Sequence, residues 1–180
     1  MEHLTAASLY ERGRAALGEK RREDARQLFR NALQACGPDD SQQFRAAIHV
    51  EIGRVARDIG DNESAVSHYR TAGDLYRGID DRMSLAHAVR HVADILRGMG
   101  RTAEAQPYIL EAIDLYRAQE PLPELHLANA LRVSALLKEQ AGSNAEALPL
   151  WVEARDLYRA TGVDAGVAES RARLAAAESA

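Results

Sequence analysis

The stretch EAIDLYRAQ, residues 111–119, contains a tetrad, Asp114, Leu115, Tyr116 and Arg117, that occurs three times in the 180 residues. The other copies are Asp74 to Arg77 and Asp156 to Arg159, so the starts lie 40 and 42 residues apart. Such a recurrence is either a chemical motif used three times or one position of a repeating structural unit. Sliding the chain by the same period decides it. Ala25, Ala65, Ala105 and Ala147 fall into register, then Phe29, Tyr69, Ile109 and Trp151 four residues on, then Ala32, Ala72, Ala112 and Ala154 three further on. Offsets of four and three mark one face of a helix, alanine where a neighbouring helix approaches and an aromatic where space must be filled. The tetrad's Leu and Tyr are therefore packing residues. Its Asp and Arg, three apart, suit a surface ion pair contributing a few tenths of a kcal/mol.

A second helix precedes each of these. Gly60, Gly100 and Gly142 stand five residues before the aligned alanine. Glycine accepts the left-handed conformation that ends a helix, and Asp61 or Asn62, Thr102, and Ser143 or Asn144 offer oxygens to cap the next one. Upstream lie apolar residues at helical spacing, with Gly53, Ala93 and Ala135 in register. The pattern predicts helices over about 41–59, 62–78, 82–98, 102–118, 123–141 and 144–161. Pro107 and Pro149 share one repeat position inside a second helix, which predicts a distorted first turn there. Residues 163–178 read as a terminal helix, with Asp164 at its start and Val163, Val167 and Leu174 on one side, covering the last pair.

The small residue, turn glycine, alanine, aromatic and alanine resemble the tetratricopeptide repeat family. Gly53, Gly60, Ala65, Tyr69 and Ala72 carry the match, as do Ala93, Gly100, Ala105 and Ala112, and Ala135, Gly142, Ala147, Trp151 and Ala154. A weaker copy at 6–40 keeps Ala25, Phe29 and Ala32, but has Lys20 at the turn glycine and Gly18 two residues early. The family unit is about 34 residues, so a period of 40 resembles its kinesin-light-chain-like and bacterial peptide-sensing branches. The resemblance implies an all-α fold: a right-handed α-solenoid of stacked antiparallel helix pairs with a C-terminal capping helix. The expected organisation is one domain, 1–180, with repeats at 6–40, 41–81, 82–121 and 122–162 and a cap at 163–178.

Composition narrows function. The net charge is −4, so no bulk positive field exists to hold a nucleic-acid backbone. The sequence begins with acids and arginines where a signal peptide needs an apolar run, and no stretch of about 18 apolar residues is long enough for a membrane span. Cys36 is the single cysteine, which rules out an intramolecular disulfide and suits a reducing cytoplasm. No phosphate-cradling loop or nucleophile elbow occurs, and no cofactor is expected. Cys36 sits at a packing position without a local basic cluster to activate it.

His87, His91 and Asp94 have a spacing that could chelate a metal, but Ala88 stands where a metalloprotease needs Glu, and no further strong ligand is adjacent. Metal-dependent catalysis ranks last among the readings. The family resemblance implies instead that first helices present ligand contacts: Ala47, Val50, Arg54 and Arg57 in the second unit, His87, Arg90, Asp94 and Arg97 in the third, and Asn129, Arg132, Leu136 and Glu139 in the fourth. Basic residues recur at these positions. The family's Lys and Asn set for a terminal carboxylate is approached only by Arg90, Asn129 and Arg132, so that specific recognition does not carry over. The expectation is a non-catalytic scaffold binding an extended acidic or carboxylate-bearing peptide, with a peptide- or metabolite-sensing module as the alternative. A protein or peptide partner is expected, and homo-oligomers stay open.

Overall fold

The computed structural model describes residues 5–178; the ends of the expected 1–180 domain, 1–4 and 179–180, lie outside the described residues. Nine helices occur among them and no strand: α1 Ala6–Gly18, α2 Arg22–Ala35, α3 Gln42–Asp58, α4 Asn62–Gly78, α5 Arg82–Gly98, α6 Thr102–Arg117, α7 Glu124–Gln140, α8 Asn144–Ala160 and α9 Asp164–Glu178. The all-α fold class follows directly. Packing divides the chain into two compact units, Met1–Ala88 and Val89–Ala180, with the division inside α5.

The turns repeat one hydrogen-bond device. Asp61 N donates to Ala56 O at 2.8 Å, and the same six-to-one bond runs from Arg21 to Ala16, Asp81 to Tyr76, Arg101 to Leu96, Ser143 to Lys138 and Val163 to Tyr158. This is the Schellman closure, which needs one residue with positive φ. Gly60, Gly100, Gly142 and Gly162 supply it, and at the other two turns Lys20 (φ 61°) and Asp80 (φ 53°) do. Lys20 therefore takes the turn-glycine place, and the weaker first copy is in register with the rest. Of the expected caps, Asp61 accepts from Ser64 N at 3.3 Å, whereas α6 and α8 start at Arg101 and Ser143 without a side-chain cap bond.

Both prolines are accommodated inside continuous helices. In α8 the first turn tightens: Glu146 N bonds Ser143 O at 3.0 Å while the Ala147 N to Ser143 O bond lengthens to 3.3 Å. In α6 the corresponding Ala105 N to Arg101 O bond stays at 3.1 Å. The expected distortion is thus confined to α8.

In the first unit, α1 packs on α2, α2 on α3, and α3 on α4. Its core joins Leu9, Phe29, Ile48, Ile52 and Val55, with Cys36 packed alongside. Phe29 fills the space left by Gly13, where an added Cβ would come within 2.6 Å of the ring; Gly53 holds the equivalent place against Tyr69 at 3.0 Å. Burying each such ring contributes about 1.5–3 kcal/mol. In the second unit α6 packs on α7, α7 on α8, and α8 on α9. Trp151 is buried among Ala135, Leu136 and Ala147, and Leu174 of α9 closes over them. Among the tetrads, Tyr76, Tyr116 and Tyr158 are buried. Asp74 and Arg77 pair at 2.9 Å, and Asp156 and Arg159 at 2.8 Å. Arg117 instead crosses to Glu153 with contacts of 2.9 and 2.7 Å.

Candidate functional site

Three of the sequence-predicted residues, Asn129, Arg132 and Arg90, act on Tyr158 in the second unit, and Asp94 and Arg97 are linked to them through Arg132. Tyr158 ends α8, where the repeat requires a buried aromatic, and its hydroxyl donates to Asn129 Oδ1 of α7 at 2.9 Å. Burial raises its pKa, Arg132 and Arg90 lower it, and Glu169 raises it, so these charges surround one ring. Arg132 is held by Glu169 of α9 through Nε at 2.6 Å and Nη2 at 2.9 Å. That bidentate bond is the main cause that raises the Arg132 pKa, and Asp94 adds to it. Asp94 in turn accepts from Arg97 Nε and Nη2 at 3.1 and 2.9 Å.

Arg90 differs from these. It is half-buried on α5, with Nη2 3.1 Å from His91 Nε2 and a hydrogen bond to the Tyr116 hydroxyl. Its Nε is buried without a hydrogen-bond partner. His126 stacks on Tyr116 with centroids 5.9 Å apart, and desolvation, then Arg90, lower its pKa. A half-buried guanidinium that bonds Tyr116 and acts on Tyr158 and His126 suits an anionic oxygen meeting its exposed part, the Nε itself lying out of reach of solvent.

The other predicted residues belong to the first unit. Arg54 is exposed and reaches Glu51 at 2.6 Å, and Arg57 lies 3.6 Å from Asp58. His87 is half-buried on α5. The arginines are thus mostly matched by carboxylates: Arg54, Arg57, Arg97 and Arg132 each have one. Glu51 to Arg54 and Asp94 to Arg97 are three-residue spacings visible in the sequence. Glu169 lies 37 residues beyond Arg132, and only the register of α9 as a further first helix could have revealed it.

Sequence reading passed over the pair His49 and His68, whose Nδ1 atoms approach to 2.9 Å between α3 and α4. No signal links them short of the fold. Among the described residues no three of His, Cys, Asp and Glu gather as a metal site, and no helix is long and apolar enough to cross a membrane. Burial pushes the Cys36 thiol pKa up, opposite to the activation a nucleophile needs.

Comparison with known proteins agrees with this architecture. The tetratricopeptide repeat family model matches residues 44–118. No curated protein matches the sequence. Among solved structures, aspartyl phosphate phosphatase F from Bacillus subtilis superposes with a TM-score of 0.81 at 14% identity, over 92% of this chain and 43% of that one. A Rap protein complexed with competence and sporulation factor gives 0.74 at 16% identity, over 94% and 47%. The Rap conjugation gene regulator of plasmid pLS20, in complex with the Phr* peptide, gives 0.67 at 21% identity, over 84% and 42%. The chain spans less than half the length of each, and the likeness is one of fold. Residues 44–118 of this chain are a run of tetratricopeptide repeats.

Proposed function

We propose that this chain is a non-catalytic interaction scaffold that binds an extended peptide bearing a carboxylate. In the second unit the peptide's carboxylate meets Arg90, with Asn129, Arg132, Asp94 and Arg97 alongside. In the first unit Arg54, Arg57 and His87 hold the corresponding repeat positions. The observation that carries the reading is Arg90: a half-buried cation whose Nε has no acceptor, lined by tyrosines and a neutral histidine. An acidic partner fits that cation, and the Phr* complex of the pLS20 regulator shows a protein of this fold class holding a peptide.

One observation also favours a sensing role. Arg132 already carries a carboxylate from α9, so an incoming carboxylate that competed for it would loosen α9. Binding and the docking of α9 would then be linked.

The test uses a fluorescein-labelled pool of Asp- and Glu-containing octapeptides, read by polarisation. Arg90→Ala is expected to weaken binding by about tenfold or more, the order expected for a hydrogen bond to a charged group, with helicity retained. Arg159→Glu, which alters an exposed second-helix pair, is expected to leave binding unchanged. Equal losses from both substitutions would place binding elsewhere.

A further inference from the structure

The α6 and α8 helices differ from their earlier counterparts at one exposed register position. Directly after the aligned large residue, the first two repeats carry Arg30 and Arg70, and the last two carry Leu110 and Val152. Leu110 is 47% exposed and Val152 39%. Single exposed apolar side chains are ordinary on a protein surface, but Leu110 lines a cleft.

The tetrad changes beside it. In the copies at 74 and 156 the Asp and Arg pair with each other. In the copy at 114, Arg117 leaves for Glu153 on α8. Asp114 is then exposed, with no ion pair among the described residues. Between α6 and α8, floored by α7, lies a cleft of about 330 Å³. That is at the lower end of the range for ligand sites. Its accessible apolar surface comes from Leu110 and the half-buried Leu150, laid over the buried Ile113 and Leu131. The rim charges are Asp114, Arg117, Lys138 and Glu146. Lys138 is satisfied by Glu146 at 2.5 Å and Arg117 by Glu153 at 2.7 Å, so Asp114 is the charge left for a partner.

We propose that this cleft is a second docking surface, which takes the apolar face of an amphipathic helix from a protein partner with a lysine or arginine set against Asp114. The geometry favours a helix because Leu110, Ile113, Asp114 and Arg117 form one stripe along α6 at spacings of three and four. An occupant lying along it repeats its anchors at the same spacing. Charge complementarity sets the sign: an acidic helix would meet Asp114, the rim charge without an ion pair among the described residues. The surface is separate from the Arg90 site and does not rest on the peptide-binding reading.

The experiment titrates the full chain with a labelled helical peptide of leucine and lysine faces, and with its leucine and glutamate analogue. Polarisation is recorded at low and high salt, and 13C-methyl spectra follow Leu110, Ile113, Leu131 and Leu150. The lysine peptide is expected to bind saturably, more weakly at high salt, and to shift those methyls. The variant Leu110→Arg, which restores the residue type of the first two repeats at the cleft, is expected to lose about tenfold or more in affinity. Asp114→Lys, a single exposed change, is the second variant and is expected to do the same. Arg90→Ala is expected to change nothing here. Equal binding of both peptides, methyl shifts confined to other helices, absence of binding, or indifference to the folded variants would each overturn the proposal. Self-association of the parent chain that Leu110→Arg abolishes would assign the cleft to a second copy, and would overturn it as well.

Discussion

His49 and His68 face each other across α3 and α4 with their rings 5.1 Å apart at 38°. One Nδ1 must donate and the other accept, so the contact requires at least one neutral ring. Desolvation and then His68 bring the His49 pKa down to about 4. Desolvation and then Arg30 lower that of His68, and Asp61 opposes them. A histidine with a folded pKa below its unfolded value near 6.5 binds fewer protons when native. Its contribution is therefore present above about pH 6.5 and is lost as pH falls through 4. The urea midpoint of the parent chain is expected to drop across this window, and that of His49→Asn to drop less. Parallel curves would remove the pair from the account. None of this was legible in the sequence, because the partners lie 19 residues apart on different helices and neither belongs to the repeat signature. Gly13 was equally silent: a glycine inside a helix reads as a weakness until Phe29 is seen filling the missing Cβ's place.

Helix boundaries were legible because each turn needs a left-handed residue five positions before a buried alanine, and glycine announces it. Lys20 and Asp80 adopt the same conformation without that signal, which is why the first copy read as irregular. The α9 helix shows the reverse: its existence was legible and its bonds were not. Leu174 covers Trp151, Arg173 Nη1 bonds Glu139 Oε2 at 3.0 Å and lies over the indole, and Glu169 grips Arg132. A single exposed ion pair contributes little, but here a bidentate pair is combined with apolar cover. Deleting residues 163–180 is expected to uncover Trp151 and Tyr158 and cause concentration-dependent self-association, measured by sedimentation velocity. A truncated chain that stayed monomeric with an unchanged melting temperature would deny α9 that role. Glu169→Gln is expected to cost about 1 kcal/mol, since the pair is about one-third exposed. For the same reason Arg132 cannot be reversed in charge without disturbing α9.

At the scale of the whole chain, the period of 40 made the candidate positions legible but not their electrostatics. Arg90 and Arg132 share one repeat position and Arg54 takes that of Asp94, yet Arg54 and Arg132 are paired with Glu51 and Glu169, whereas a buried donor of Arg90 has no partner. Repetition also governs how damage spreads. Within each unit helices pack on their sequence neighbours, so stability is a sum of local and nearest-neighbour contributions and need not be lost all at once. Trp151 is 1% exposed, and its indole Nε1 donates to Glu139 at 2.7 Å. Trp151→Ala is expected to cost about 3–5 kcal/mol at that site. Hydrogen exchange at neutral pH should then show lost protection in α7, α8 and α9, while α1 to α4, whose core joins Leu9, Phe29 and Ile52, keep theirs. Phe29→Ala should produce the mirror result, with α1 to α3 opening and α7 to α9 retained. A uniform loss along the chain from either substitution would mean that the two compact units unfold as one cooperative body, and the nearest-neighbour account would fail for this protein.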